Sequence, residues 1–261
     1  MPPFQFRFPS QTTIIGATQS GKTSLVRKIL ENVDSSFEKP IDNIFWFYGV
    51  DNDGIPKHLP QITCFEGLPD IDFLKQHRFK NNVLVMDDLM NFFARDKKSL
   101  HLLNDLFCVY AHHFNCAIFN LVQSAFTLPP TTRNNSTYLI LMRNLSDASQ
   151  IKNLLIQQFG EKWRGALQAY QSVMTKPYNA MLINNDPNAD SNFRIMEEFL
   201  DTCPITKRLI LSATEKEISI LVEIVANLMK TKNIPLGNLE ASILKPKIGL
   251  LLQILNCRDD R

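Results

Sequence analysis

The chain has 261 residues, 44% of them hydrophobic and 21% charged, with a formal net charge of +2. That is the balance of an ordinary folded protein with an ample core, enough for one α/β domain of about 200 residues and a small appendage. A charge so near zero excludes bulk basicity as a sign of nucleic-acid binding; no apolar run approaches the roughly 20 residues of a membrane span, and Met1-Pro2-Pro3-Phe4 opens no signal peptide, so a soluble intracellular protein is expected.

In chain order, the β-branched run Thr12-Thr13-Ile14-Ile15 predicts a short strand. It meets Gly16-Ala17-Thr18-Gln19-Ser20-Gly21-Lys22-Thr23, which fits the phosphate-loop pattern G-x-x-x-x-G-K-[ST] without departure. Apolar residues at helical spacing follow in Ser24-Leu25-Val26-Arg27-Lys28-Ile29-Leu30. Strand, loop and helix are the context the motif requires. Glycines let backbone N–H groups curl round a phosphate, and the helix N-terminus adds its positive end. ATP is the expected ligand of residues 16–23, with Lys22 reaching the β and γ phosphates and Thr23 ligating Mg²⁺.

Ile41-Asp42-Asn43-Ile44-Phe45-Trp46-Phe47-Tyr48 is rich in aromatic and β-branched residues and predicts a buried strand. A loop over 51–60 follows, then an edge strand at Ile62-Thr63-Cys64-Phe65 and a short helix over 69–77 with proline in its first turn. Asn82-Val83-Leu84-Val85-Met86-Asp87-Asp88 has the Walker B form, an apolar strand delivering carboxylates to its C-terminal tip. Asp87 is expected to hold Mg²⁺ through water, and Asp88 to polarise the attacking water. The second acid is Asp where many such ATPases use Glu, one methylene longer.

Residues 100–113 carry leucines and aromatics spaced for a helix with one buried face. Asn115 to Gln123 then predicts a central strand ending in an amide. Gln123 at a strand tip is suited to donate to a γ-phosphate and accept from the attacking water. His112 and His113 read as helix-terminal residues, since no Cys or carboxylate spacing supports a metal site. The five cysteines are odd in number and scattered, and are expected to be reduced. Arg95, Lys97 and Lys98 follow Walker B as either a solvated loop or a DNA contact.

GATQSGKT, VLVMDD, HHFNCAIFNLVQSAF and TTRNNSTYLILMRNLSDASQI, in that order, resemble the genome-packaging ATPases of the FtsK/HerA superfamily. The branch they resemble is that of poxvirus-like viruses, adintoviruses and Polinton/Maverick elements, over about residues 12–186. The resemblance implies a P-loop NTPase fold of the RecA/FtsK kind: a mostly parallel central sheet flanked by helices, with the Gln123 strand between the P-loop and Walker B strands. It further implies an ATP-driven translocase of double-stranded DNA that packages a genome into a capsid. Such an ATPase works as a homo-oligomeric ring, with capsid or portal proteins as partners and no membrane. The location implied is the cytoplasm or nucleus of an infected or element-bearing cell, or the virion. Arg133, in a polar loop before the next strand, is the arginine finger the resemblance favours; Arg143, at that strand's far end, is a second sensor candidate. One departure is Arg143-Asn144-Leu145, where many relatives have proline after the Asn.

Helices are expected over 147–159 and 162–174, and a last strand over 178–184 closes an ATPase domain at residues 1–190. Residues 191–261 read as a helical appendage. From Pro204 onward nine Lys/Arg stand against six Asp/Glu, and Thr214 with Glu217 forms a capping box opening an amphipathic helix over 214–229. Three other readings stay open. A GTPase would need N-K-x-D, which Thr175-Lys176-Pro177-Tyr178 does not complete; a kinase would need an Arg-rich lid; a relic would bind nucleotide without turnover.

Overall fold

The computed structural model describes residues 4–144, 148–190 and 193–200, together with the backbone of Ile205–Thr206. The chain opens with β1 (Ser10–Ile15), every residue of which is buried, and passes through the phosphate loop into α1 (Lys22–Glu31). A short α2 (Val33–Ser36) leads to β2 (Asn43–Tyr48) and β3 (Ile62–Glu66). Next come α3 (Ile71–Gln76) and β4 (Asn82–Asp87). After β4 come α4 (Met90–Phe93) and α5 (Lys97–Asp105), which runs through a π turn at Leu106–Tyr110 into α6 (Ala111–His113). Then follow β5 (Cys116–Val122), α7 (Pro130–Asn134) and β6 (Tyr138–Met142). The remainder is α8 (Ala148–Phe159), α9 (Trp163–Val173), β7 (Ala180–Asn184), β8 (Ile195–Glu197) and β9 (Ile205–Thr206).

All nine strands join one sheet in the order β3-β2-β4-β5-β1-β6-β7-β8-β9. From β3 to β6 neighbours run parallel, and β7, β8 and β9 each pair antiparallel to the strand before. This is the α/β, P-loop NTPase architecture expected, with the β5 strand between the P-loop strand and the Walker B strand. Parallel strands covered on both faces read as continuous apolar runs, which is why β4 and β5 were recognisable in the sequence.

One face of the sheet packs against α5, α6, α8 and α9, with Leu103, Ala111, Ile151, Leu154, Leu155, Ala166 and Tyr170 covering Leu84, Met86, Ile118 and Leu141. The other packs against α1, whose Val26, Ile29 and Leu30 lie at i, i+3, i+4 and meet Trp46, Val85, Phe119 and Ile140. Phe119 has no exposed surface and sits edge-on to Phe6, ring centres 5.3 Å apart. Truncating such a ring to Ala costs about 3–5 kcal/mol through lost transfer energy and the cavity left behind.

The sheet does not close at the strand over 178–184. After a turn at 185–190 the chain reverses, the Asn184 N–H donating to the Arg194 carbonyl at 2.9 Å, and β8 extends the ladder. So the opening of the segment expected to be helical, 191–261, contributes strands; the helix expected over 214–229 lies outside the described residues, as does Asp147. The helix over 100–113 is not continuous α either. A π turn holds one surplus residue, and the Gln11 side-chain amide donates to the Phe107 carbonyl at 3.0 Å. Pro69 stands before the cap of α3, which is Asp70, its carboxylate accepting from the Asp72 N–H at 3.0 Å. Among the described residues no helix is long and apolar enough to cross a membrane.

Candidate functional site

The register of the three central strands decides what meets at the sheet's C-terminal edge. Asp87 stands opposite Leu121, and Ile15 opposite Val122. The residues just past these ends, Asp88, Gln123 and Gly16, therefore leave the sheet side by side.

The loop from Gly16 to Thr23 is tied to both neighbouring strands: the Gly16 N–H donates to the Val122 carbonyl at 3.1 Å, and the Ala17 N–H to the Arg143 carbonyl at 3.3 Å. A Cβ on Gly16 would lie 2.5 Å from the Ser20 hydroxyl oxygen and 2.9 Å from the Met142 Cβ, so only glycine fits. Gln19 and Gly21 both adopt left-handed backbone angles, φ 63° and 97°, and curl the loop into the start of α1. Thr18 and Gln19 are exposed at its crest. The first-turn N–H groups of α1 lack intrahelical partners and give the loop mouth a partial positive charge. The Ser20 hydroxyl is buried there with no hydrogen-bond partner among the described residues.

The Lys22 ammonium donates to the Gly16 carbonyl at 2.7 Å and the Ala17 carbonyl at 2.9 Å. Burial pulls it below its ordinary value, while the Asp88 and Asp87 carboxylates act in the opposite sense. Thr23 sets its hydroxyl 3.3 and 3.5 Å from the two Asp87 carboxylate oxygens. Asp87 is buried, and desolvation pushes its carboxyl up to about 6, with the Thr23 hydroxyl opposing and the Asp88 charge adding to the rise.

Asp88 is exposed and sits in the left-handed region at φ 54°, which turns its side chain off the strand direction. Its carboxylate accepts from the Gln123 amide, whose Nε2 lies 3.3 Å from each oxygen. Gln123 is steadied from behind: its carbonyl accepts from the Asn144 Nδ2 at 3.0 Å. Asn144 is itself placed by Tyr170, whose hydroxyl accepts from the Asn144 N–H at 3.3 Å and donates to the Met142 carbonyl at 3.1 Å. Sequence reading singled out neither Asn144 nor Tyr170 as a site residue. Asn144 stood within a quoted motif, but the partner that fixes it arrives from α9. Nor did the sequence mark Gly54, where a Cβ would come within 3.0 Å of the Thr23 methyl carbon. That close approach seats the loop after β2 against the Walker A threonine.

The placement expected of Arg133 is corrected. It stands on α7, not in a loop, and its guanidinium is buried, donating from Nη1 to the Ala125 carbonyl at 3.2 Å and the Leu128 carbonyl at 3.0 Å while lying 4.7 Å from the Phe126 ring centre. Pro129 and Pro130 start a helical turn that swings the residue inward. Arg143, by contrast, exposes its side chain where its own carbonyl accepts from the P-loop. Arg95, Lys97 and Lys98 are all exposed; Arg95 lies 4.2 Å over the Phe92 ring. His112 and His113 are exposed at the end of α6.

The residues present fit a magnesium nucleotide. A desolvated carboxylate and an adjacent hydroxyl, Asp87 and Thr23, are the hard oxygen donors that Mg²⁺ takes, and the glycine cradle with its orphaned Ser20 hydroxyl suits phosphate oxygens. The Lys22 ammonium lies within electrostatic reach of Asp88 and Asp87, and Asp88 is paired with Gln123.

Against protein-family models and against curated proteins the sequence has no match. Among solved structures the chain is similar to B204, the DNA-packaging ATPase from Sulfolobus Turreted Icosahedral Virus, at 15% identity, covering 72% of this chain and 96% of that one with a TM-score of 0.49. B204 from Sulfolobus turreted icosahedral virus 2 in complex with ATP-gammaS gives 13% identity, 69% and 95% coverage, and a TM-score of 0.45. The cytoplasmic domain of EssC gives 14% identity, 85% and 44% coverage, and a TM-score of 0.48.

Proposed function

We propose that the protein is a magnesium-dependent ATPase that translocates double-stranded DNA and packages a viral or Polinton-like genome into a capsid, working as a homo-oligomeric ring. The single observation that carries hydrolysis is the convergence of Lys22, Thr23, Asp87, Asp88 and Gln123 on one sheet edge, with the Gln123 amide 3.3 Å from the Asp88 carboxylate oxygens. The DNA and packaging clause rests on the motif order and on nothing in the site itself.

The P-loop at residues 16–23 would hold the triphosphate, and Thr23 and Asp87 would hold Mg²⁺, which when bound neutralises charge developing on the phosphates. Asp88 accepts the proton or hydrogen bond of the attacking water. Gln123 orients that water and restrains Asp88, so it registers whether a γ-phosphate is present. Arg133 either completes a neighbour's site, which requires release from the carbonyls of Ala125 and Leu128, or acts at home by holding the loop after Gln123; its two hydrogen bonds support the second role. Arg95, Lys97 and Lys98 are the exposed cations assigned to DNA phosphates, gripped without regard to sequence.

Steady-state ATP hydrolysis by the full chain, with and without linear double-stranded DNA, tests the proposal, with Asp88→Asn as control. Stimulation by DNA that the variant abolishes supports a translocase. Hydrolysis indifferent to DNA removes the translocase clause, and ATP binding without hydrolysis removes the enzyme.

A further inference from the structure

Beside Gly21 of the phosphate loop, α1, the start of β7 and the segment after β8 border a cavity of about 530 Å³. Leu25 and Ala180 line it with apolar surface, Tyr178 with its ring, and Asn179 and Glu198 with polar groups, the Glu198 carboxylate lying 3.8 Å from the Lys176 ammonium. Neither catalytic acid reaches it, and the hydrolytic site makes no use of it.

Tyr178 is the unusual member. It is 70% exposed and holds a left-handed backbone angle, φ 61°, uncommon for an aromatic residue. Its ring stands against Gly21, where a Cβ would lie 3.1 Å from the Tyr178 Cδ1. An exposed ring is thus set beside the last glycine of the phosphate loop, with no core packing to account for it.

The direction of a bound nucleotide follows from the helix it would cap. Thr23 turns its hydroxyl to Asp87, and Asp88 with Gln123 stands on the same side, so the terminal phosphate and the metal belong there. A triphosphate running back along the loop leaves it at Gly21, facing Tyr178. Leu25 borders the same cavity one helical turn from Gly21.

We propose that this cavity seats the base and ribose of the nucleotide, with Tyr178 as the stacking face and the Asn179 amide and Glu198 carboxylate as hydrogen-bonding groups at the base edge. The inference rests on the reading of the P-loop as a triphosphate site and adds the element that makes it a nucleoside triphosphate site. Stacking of a base on an aromatic side chain is sequence-tolerant, since every base has a π face; Asn179 and Glu198 would supply what discrimination there is.

The test measures binding of ATP and of inorganic tripolyphosphate, each with Mg²⁺, to the full chain by titration calorimetry. Tyr178→Ala is expected to weaken ATP by about 5- to 100-fold, the usual worth of one base stack, and to leave tripolyphosphate unchanged. Tyr178→Phe is expected to restore ATP affinity, because the ring and not the hydroxyl does the stacking. Equal loss for both ligands, or no loss for ATP, overturns the assignment of the cavity. Failure of the wild type to bind either ligand overturns the phosphate-loop reading, and this inference with it.

Discussion

The Gln123 side-chain amide lies 3.3 Å from both carboxylate oxygens of Asp88, a fork in which one donor is shared by two acceptors. A donor so shared forms neither bond at full strength, and it can turn to a phosphate oxygen at little cost. Gln123 and Asp88 directly follow the adjacent strands β5 and β4, so any change in one is felt by the other.

Asp88→Asn removes the proton acceptor and leaves the hydrogen-bonding shape. ATP binding is expected to stay within a few-fold of wild type while kcat falls about 10²- to 10⁴-fold, the usual worth of a positioned general base. Fluorescent-nucleotide titration beside steady-state turnover checks this. A variant with unchanged kcat would move the role to another residue.

Lys22→Ala removes an ammonium that donates at 2.7 and 2.9 Å to the loop carbonyls and is placed to meet phosphates. One or two lost charge-assisted hydrogen bonds, at about 1.5–3 kcal/mol each, predict affinity for ATP down by roughly 10- to 100-fold or more. Equilibrium binding, with circular dichroism as a folding control, reads this.

Asn144→Ala strips the amide that holds the Gln123 carbonyl, with no direct path from residue 144 to substrate through that bond. Turnover is expected to drop about tenfold with KM nearly unchanged, and stability to fall by ~1 kcal/mol, since a partly buried carbonyl loses its partner. A raised KM with kcat unchanged would assign Asn144 to nucleotide binding instead.

Arg133 is tested by mixing subunits. If its guanidinium works at home on the carbonyls of Ala125 and Leu128, rings mixed from Arg133→Ala and Lys22→Ala subunits recover no activity beyond dilution. Recovery on mixing would restore the finger in trans. Melting of Arg133→Ala alone is expected to fall, because the two carbonyls are buried.

Cys116 is buried on β5 and its thiol is pushed up to about 12 by desolvation, with the Asn82 hydrogen bond acting the other way. The raised value leaves roughly one thiol in 10⁴ ionised at pH 8, so alkylation of the Cys116 peptide is expected to be negligible in the native protein. It should rise only as pH approaches the shifted value, or on unfolding. Peptide mass spectrometry after iodoacetamide at pH 7, 8 and 9 checks it; brisk native labelling at pH 8 would contradict the burial.

The P-loop and Walker B strand were legible because their chemistry fixes backbone shape: Gly16 and Gly21 occupy positions where a side chain clashes or strains, and β4 is buried on both faces and so apolar from Val83 to Met86, between Asn82 and Asp87. Gln123 was legible as an amide at a strand tip, and the strand order then placed it. What escaped reading is tertiary. The burial of Arg133 depends on Phe126 and on the Ala125 and Leu128 carbonyls of the preceding turn, while its own local string, Thr131-Thr132-Arg133-Asn134-Asn135, looks like loop. β8 is three residues long, too short for its alternation to register. Asn144 acquires its role from Tyr170, 26 residues away. Tyr178 is the first residue of the strand expected over 178–184, but β7 starts at Ala180, and a left-handed turn at Tyr178 sets its ring beside Gly21 instead.

The surplus residue in the π turn at Leu106–Tyr110 sets the rotational phase of everything after it. With it in place, Ala111 and Phe114 face the sheet and His112 and His113 face water. Deleting one residue there would let the helix close up as regular α and advance its final turn by about 100°, carrying the histidines toward the core and stranding the Gln11 amide. Exposed Cys108 and Val109 should therefore accept almost any side chain while refusing to be removed, so length and not identity is what natural variation must preserve at this bend.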